Sequence, residues 1–147
     1  MFQVEAVENV TQRPGYTCRN DIFQVTNLQA NSDSMPSLCG DNSGQHLYVR
    51  VNASTNSRSI RINFKIADRN TQPHLPQATW KIKVTQLESV ARDSIPLLSI
   101  LAPPGCLQYF PDRSGVIESF NYNRGDGPYI ANLAYATCFK RTPDAIL

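Results

Sequence analysis

An alternation of apolar and polar residues, repeating every two positions, constrains this chain more than any other feature. It is clearest in residues 59–66, where every second residue is large and apolar: Ile60, Ile62, Phe64 and Ile66. Side chains of a β-strand point alternately to its two faces, so the pattern predicts a strand with one buried face. Residues 47–51 should pair antiparallel with it. Residues 80–85 predict a further strand with Trp80, Ile82 and Val84 inward, and residues 18–25 predict a short strand. No stretch keeps a 3.6-residue period for three turns, so we expect an all-β fold.

The size and charge of the chain exclude several classes of function. Its 147 residues suffice for one ordinary domain or for parts of two, and its 41% hydrophobic content fits a folded chain. The formal net charge of +2 is not concentrated in a cluster of Lys and Arg, so no nucleic-acid partner is indicated. No run approaches the roughly 20 apolar residues of a transmembrane segment. Residues 1–15 lack the apolar run of a signal peptide, so we expect the natural protein to start further upstream.

Cysteines and glycosylation motifs favour a secreted protein. The four cysteines form no Cys-x-x-Cys pair and the chain has only two histidines, so a zinc site is not expected. Acceptor motifs for N-glycosylation occur at Asn9 and Asn52. Such motifs also arise by chance, but together with an even number of cysteines they indicate an extracellular glycoprotein with two disulfides.

The C-terminal part carries motifs of a known family. Gly105-Cys-Leu-Gln-Tyr-Phe110 predicts an aromatic strand, and a Gly turn separates it from a second predicted strand over residues 114–122, which ends in Ser-Phe-Asn-Tyr. Asn132, Tyr135 and Cys138 follow. This order resembles the opening of a CUB domain, in the form found in secreted CUB-domain proteins of insects. Residues 104–147 therefore resemble the N-terminal half of a CUB domain.

Residues 1–90 resemble the C-terminal half of such a domain. The Cys-x-x-Asp of the family is matched by Cys18-Arg-Asn-Asp21, and its Cys-Gly by Cys39-Gly40. Gly44-Gln-His-Leu-Tyr-Val49 matches a stretch of the insect form. Residues 91–103 join the halves as a linker marked by prolines. The resemblance implies an antiparallel jelly-roll-like β-sandwich. In this chain the sandwich is either incomplete or completed in permuted order by the C-terminal half.

The resemblance also implies disulfides and a calcium site. The disulfides would join Cys18 to Cys39 and Cys106 to Cys138. Many CUB domains bind calcium in loops at one end, and the residues that match those ligands are Glu8, Asp21, Asp68 and Asn70. Calcium takes six to eight oxygen ligands, which carboxylates from separate loops can supply. The alternative is that the two aspartates are ordinary turn and cap residues.

The expected function is non-catalytic binding of a protein or a glycan by loops at one end of the sandwich. No enzyme is expected. His46 lies near Ser43, but Asn42 departs from the nucleophile segment of trypsin-like proteases, and His74 has no acidic motif near it to complete a catalytic triad. One alternative is a structural spacer within a longer secreted protein. Another is an adhesive ligand acting through Arg124-Gly125-Asp126, the tripeptide that integrins recognise. The residues of this loop are also those that commonly form turns without any binding function.

Overall fold

Within the residues that the structure describes, the fold consists of four short strands and almost no helix. The computed structural model describes residues 17–26, 35–50, 59–87 and 101–141. The strands are β1 (Ile22–Thr26), β2 (Arg61–Lys65), β3 (Cys106–Phe110) and β4 (Ala136–Phe139), and a 3-10 helix spans Asn123–Gly125. The all-β class is confirmed. In the part of the chain that these ranges cover, we find no helix with the length and hydropathy of a membrane span.

Strands β1 and β2 form an antiparallel pair. Ile22 lies opposite Lys65 and Thr26 opposite Arg61. Each strand was predicted, although the expected partner of β2 was a different segment. Apolar side chains hold the pair together, because the rings of Phe23 and Phe64 face each other across it with centroids 5.5 Å apart.

Three strand predictions were wrong for the residues that the structure describes. Residues 47–50, 80–85 and 114–122 form no strand, so the expected pairing of residues 47–51 with β2 is absent, and Val51 lies outside the described residues. The predicted inward residues Trp80, Ile82 and Val84 are exposed, as are Ile62 and Ile66. The physical reason is that alternation fixes which side chains share a face, whereas burial requires a neighbouring element to cover that face.

Strands β3 and β4 pair in parallel. Cys106 lies opposite Ala136 and Tyr109 opposite Cys138, with a register shift between Cys106 and Gln108. Parallel strands need a long crossover connection, and residues 111–135 supply it, including the segment that was predicted to be a strand. The antiparallel pairing expected from the resemblance therefore holds for the β1–β2 pair and not for the β3–β4 pair.

Both disulfides implied by the resemblance are present. Cys18 is bonded to Cys39 and Cys106 to Cys138, with 5.7 Å between the Cα atoms of each pair. They close loops of 21 and 32 residues, for which the chain-entropy model gives roughly 3 to 4 kcal/mol each. We call the described residues 17–87 the first segment and residues 101–141 the second segment. Each disulfide lies within one segment, so the two segments are held together by non-covalent contacts and by the chain itself.

One hydrophobic core is built from both segments. Leu38 and Cys39 of the first segment cluster with Phe120 and Ile130 of the second, and all four side chains are buried. Phe120 is the largest of them and is 1% exposed. Partly buried residues from both segments surround this cluster: Cys18, Phe23, Met35, Leu47, Leu107, Leu133 and Tyr135. The segments therefore remove apolar surface from water jointly, and this burial favours their association.

The two stretches that most resemble the family also lie against each other. The amide of Tyr48 donates a hydrogen bond of 2.8 Å to the carbonyl oxygen of Leu107 in β3. Nε2 of His46 lies 3.0 Å from the carbonyl oxygen and 3.3 Å from the amide nitrogen of Tyr109. The motif at residues 44–49 thus runs beside β3, although it is not a strand.

A buried glutamine adds a polar connection at the same place. Gln108 of β3 is 1% exposed. Its Nε2 donates to Oε1 of Gln45 at 2.7 Å, and its Oε1 accepts a hydrogen bond from the Thr137 hydroxyl at 3.1 Å. Because a buried amide without partners costs about 1 to 3 kcal/mol, these bonds specify how the first segment and β4 meet on β3.

Candidate functional site

Residues 66–80, which we call the Arg69 loop, lead from β2 to Trp80. Within the loop, Asp68 organises a turn. Its Oδ1 accepts a hydrogen bond from the amide of Asn70 at 2.8 Å. Its carbonyl oxygen accepts bonds from the Thr71 hydroxyl and the Gln72 amide, each 3.0 Å long. Asp68 and Asn70 therefore act here as turn residues, in the way that Asp side chains commonly close turns.

Arg69 joins this loop to Asp21, the acid that follows Cys18. Nη1 and Nη2 of Arg69 donate to Oδ1 and Oδ2 of Asp21, at 3.1 and 2.5 Å. The same guanidinium donates to the carbonyl oxygens of Ala67 and Pro76, both at 2.9 Å. Oδ1 of Asp21 also accepts a bond of 3.0 Å from the amide of Ala67. One arginine thus connects the start of β1, the end of β2 and the far side of the loop.

The ion pair between Asp21 and Arg69 changes the ionisation of both groups. Hydrogen bonds from the Arg69 side chain are the main reason that the pKa of Asp21 lies below its usual value, and the bond from the Ala67 amide adds to this effect while partial burial opposes it. The pKa of Arg69 is raised, chiefly by its hydrogen bonds to Asp21. The folded chain therefore favours the doubly charged pair.

Among the predicted calcium ligands in the residues that the structure describes, Asp21 lies beside the loop that carries Asp68 and Asn70, because its Oδ1 accepts a hydrogen bond from the amide of Ala67. Glu8 lies outside the described residues. Within them, no three or more His, Cys, Asp or Glu side chains form a group that could hold a metal ion. Both oxygens of Asp21 accept hydrogen bonds from Arg69, and Oδ1 of Asp68 closes its own turn. These residues do not fit a calcium ion as they are placed, and calcium binding stays a prediction.

At the end of the Arg69 loop, Trp80 forms an exposed aromatic stack. Its ring lies 4.2 Å from that of Phe64 with an angle of 12° between the planes. Phe64 in turn contacts Phe23, which packs against the core. Trp80 is nonetheless 63% exposed. An aromatic ring that is fixed by stacking and open to solvent presents a rigid apolar surface to a ligand. Sequence reasoning missed this role, because the alternation of residues 80–85 assigns Trp80 to the interior.

The Arg124-Gly125-Asp126 tripeptide lies exposed on a tight turn. Arg124 and Gly125 have left-handed backbone angles, with φ of 56° and 92°. The Gly125 amide donates to the carbonyl oxygen of Tyr122 at 2.8 Å, and the Asp126 amide to that of Asn123 at 3.0 Å. The turn therefore holds the tripeptide at the surface with its side chains accessible to solvent.

Asn121 fixes the base of this turn and joins it to the first segment. Its φ is 61°, a left-handed conformation that Asn tolerates better than most residues. Its Oδ1 accepts a bond from the Asp41 amide and its Nδ2 donates to the Pro128 carbonyl oxygen, both at 2.8 Å. Its own amide donates to Oδ1 of Asn42 at 2.9 Å. The Asn of the Ser-Phe-Asn-Tyr motif thus has a structural role.

Comparison with known proteins finds a family match in the C-terminal part of the chain. The family model for the animal CUB domain matches residues 103–146, which include β3, the core residue Phe120 and β4. This match supports a CUB domain in that part of the chain. CUB domains are generally extracellular modules that mediate protein interactions, and disulfides such as these are typical of extracellular proteins. No curated protein and no solved structure matches the chain.

Proposed function

We propose that this chain is a non-catalytic extracellular binding module of the insect type that its motifs resemble. We further propose that it is one CUB-like unit, in which the second segment completes the first in permuted order. The family match at residues 103–146 supports the class. The core shared by Leu38 and Phe120, together with the buried bond between Gln45 and Gln108, supports the single unit. Two unrelated half-domains would not be expected to bury Leu38 against Phe120 or to share the buried hydrogen bond between Gln45 and Gln108.

The exposed stack of Trp80 on Phe64 is the observation that favours binding at the Arg69 loop. Tryptophan is among the residues that most often dominate binding energy, and a ring held in place beforehand loses little side-chain entropy when a ligand covers it. Lys81 and Lys83 follow Trp80 directly and are exposed. This combination suits a ligand that offers an apolar face beside acidic groups, either on a protein or on a glycan.

Binding to arrays of extracellular proteins and of glycans tests the proposal. The chain, secreted from a eukaryotic cell with both disulfides formed, should bind specific components of an array. Trp80→Ala should weaken that binding at least tenfold, which corresponds to about 1.4 kcal/mol. Tyr129→Ala removes another exposed aromatic ring, in the second segment, and should leave binding unchanged. If the native chain binds no more than the reduced and alkylated chain, the spacer alternative replaces this proposal.

A second candidate function is adhesion through Arg124-Gly125-Asp126, which the exposure of the tripeptide on its turn favours. Cells bearing integrins should attach to a surface coated with the chain. Asp126→Glu keeps the charge but moves the carboxylate, and it should abolish attachment. Asp112→Glu alters another exposed acid of the second segment and serves as the control. Equal attachment to both variants would exclude this candidate.

A further inference from the structure

Oxygen atoms from three parts of the chain converge on the guanidinium of Arg69. They are the two carboxylate oxygens of Asp21 and the carbonyl oxygens of Ala67 and Pro76. Carboxylate and carbonyl oxygens are also the groups that bind calcium in proteins. From this arrangement we infer that Arg69 replaces calcium as the cation that holds this loop end together.

The chemistry of the guanidinium fits this role. It carries five N–H donors in a rigid plane and keeps its positive charge at every pH at which proteins fold. Nε, Nη1 and Nη2 of Arg69 are all engaged with the converging oxygens. The bidentate contact of Arg69 engages both carboxylate oxygens of Asp21, the groups through which a calcium ion would bind this residue. Arg69 and calcium therefore compete for one carboxylate, and the arginine is tethered to the loop that it stabilises.

One functional consequence follows for the Arg69 loop. Arg69 is bonded to both Asp21 and Pro76, and Pro76 lies four residues before Trp80. Arg69 therefore restrains the loop close to the aromatic stack. The aromatic stack should keep its position whether or not calcium is present. This inference goes beyond the proposed binding function, because it concerns what holds the loop and is the same for a protein and a glycan ligand.

Thermal melts of the secreted chain, in excess calcium and in EDTA, test the first half of the inference. The two melting temperatures should agree within about 1 °C, whereas calcium at about 100 times its dissociation constant would raise the value by several degrees. Calorimetric titration with calcium chloride should likewise show no saturable heat. A calcium-induced rise in melting temperature that Asp21→Asn abolishes would overturn the inference.

Substitution of Arg69 tests the second half. Arg69→Met keeps the aliphatic stem and removes the guanidinium, and it should lower the melting temperature by about 4 °C. Arg61→Met removes an exposed arginine of β2 for which the described residues provide no ion-pair partner, so it should change little. If Arg69→Met is as stable as Arg61→Met, Arg69 does not hold the loop.

A double-mutant cycle separates the ion pair from a general loss of packing. Because Asp21 and Arg69 interact directly, the double variant Asp21→Asn, Arg69→Met should be at least as stable as the less stable of the two single variants. Simple addition of the two losses would contradict a direct pairing. If Arg69→Met does not fold, Arg69→Lys keeps the charge, loses the bidentate fork and should show a smaller decrease. Array binding reports on the proposed function separately, so each proposal can fail without the other.

Discussion

Replacing Phe120 by alanine perturbs the core that the two segments share. Phe120 lies in the second segment, is 1% exposed and clusters with Leu38 and Cys39 of the first segment. Its ring also packs against Tyr135 with centroids 4.9 Å apart. The substitution removes the six carbon atoms of the buried ring and leaves a cavity that both segments line.

The expected loss follows from the burial of this ring. A fully buried Phe→Ala substitution typically costs about 3 to 5 kcal/mol, because the lost transfer free energy adds to the cost of the cavity. For a chain of 147 residues this corresponds to a decrease in melting temperature of roughly 10 to 15 °C. Val116→Ala is the control, since Val116 lies in the same segment and is 78% exposed. It should change stability by less than about 0.5 kcal/mol.

Urea unfolding followed by tryptophan fluorescence gives the most informative readout. The chain has one tryptophan, Trp80, and it lies in the first segment. Contacts through Phe64 and Phe23 connect it to the shared core. If the chain unfolds as one unit, Phe120→Ala should shift the transition seen by Trp80 as far as the transition seen by circular dichroism.

A specific result would refute this reasoning. If Phe120→Ala shifts the circular dichroism transition and leaves the Trp80 transition where it was, the segments unfold independently. A loss below about 1 kcal/mol by both probes would equally contradict the core described above.

Three further predictions rest on contacts described above. Gly127→Ala should cost about 1 to 3 kcal/mol in urea unfolding, because its Cβ would collide with the carbonyl oxygen of Asn121, whereas Gly115→Ala meets open space and should be neutral. Replacing Cys106 and Cys138 together by alanine should cost about 3 to 4 kcal/mol in the same assay, and unchanged stability would show that this disulfide is dispensable. Acid should remove the contribution of Asp21. Since folding lowers its pKa, that contribution is complete above the unfolded pKa of about 4 and disappears as the pH falls through the folded value. The acid limb of the stability curve should therefore be less steep in Asp21→Asn than in the unchanged chain.

Local features of the sequence were enough to predict the all-β class, β1, β2 and the strand at Cys106–Phe110. Alternation and aromatic content are properties of a few neighbouring residues, so they predict a strand even when its partner strand is unknown. The disulfides were found through the family resemblance and not from local pattern, since four cysteines allow three pairings.

The pairing of the strands and the contacts of the candidate site could not be predicted from local sequence features. The parallel pairing of β3 with β4 depends on a crossover of about 25 residues, which no local signal encodes. Residues 80–85 carry the alternation of a buried strand, yet Trp80 is 63% exposed even though Phe64 stacks on its ring. Sequence reasoning singled out Asp68 and Asn70 and passed over Arg69 between them. The partner of Arg69 lies 48 residues away, so only the fold reveals the ion pair.

Cleavage of the chain between its two segments is the most direct test of the claim that they form one unit. A specific protease site placed between Leu87 and Leu101 would release two fragments, each closed by its own disulfide. The shared core and the Gln45–Gln108 bond should keep them together, so they should co-elute in gel filtration as a species near the intact 16.4 kDa. Separate elution of two folded fragments would contradict the single unit and show two independent half-domains.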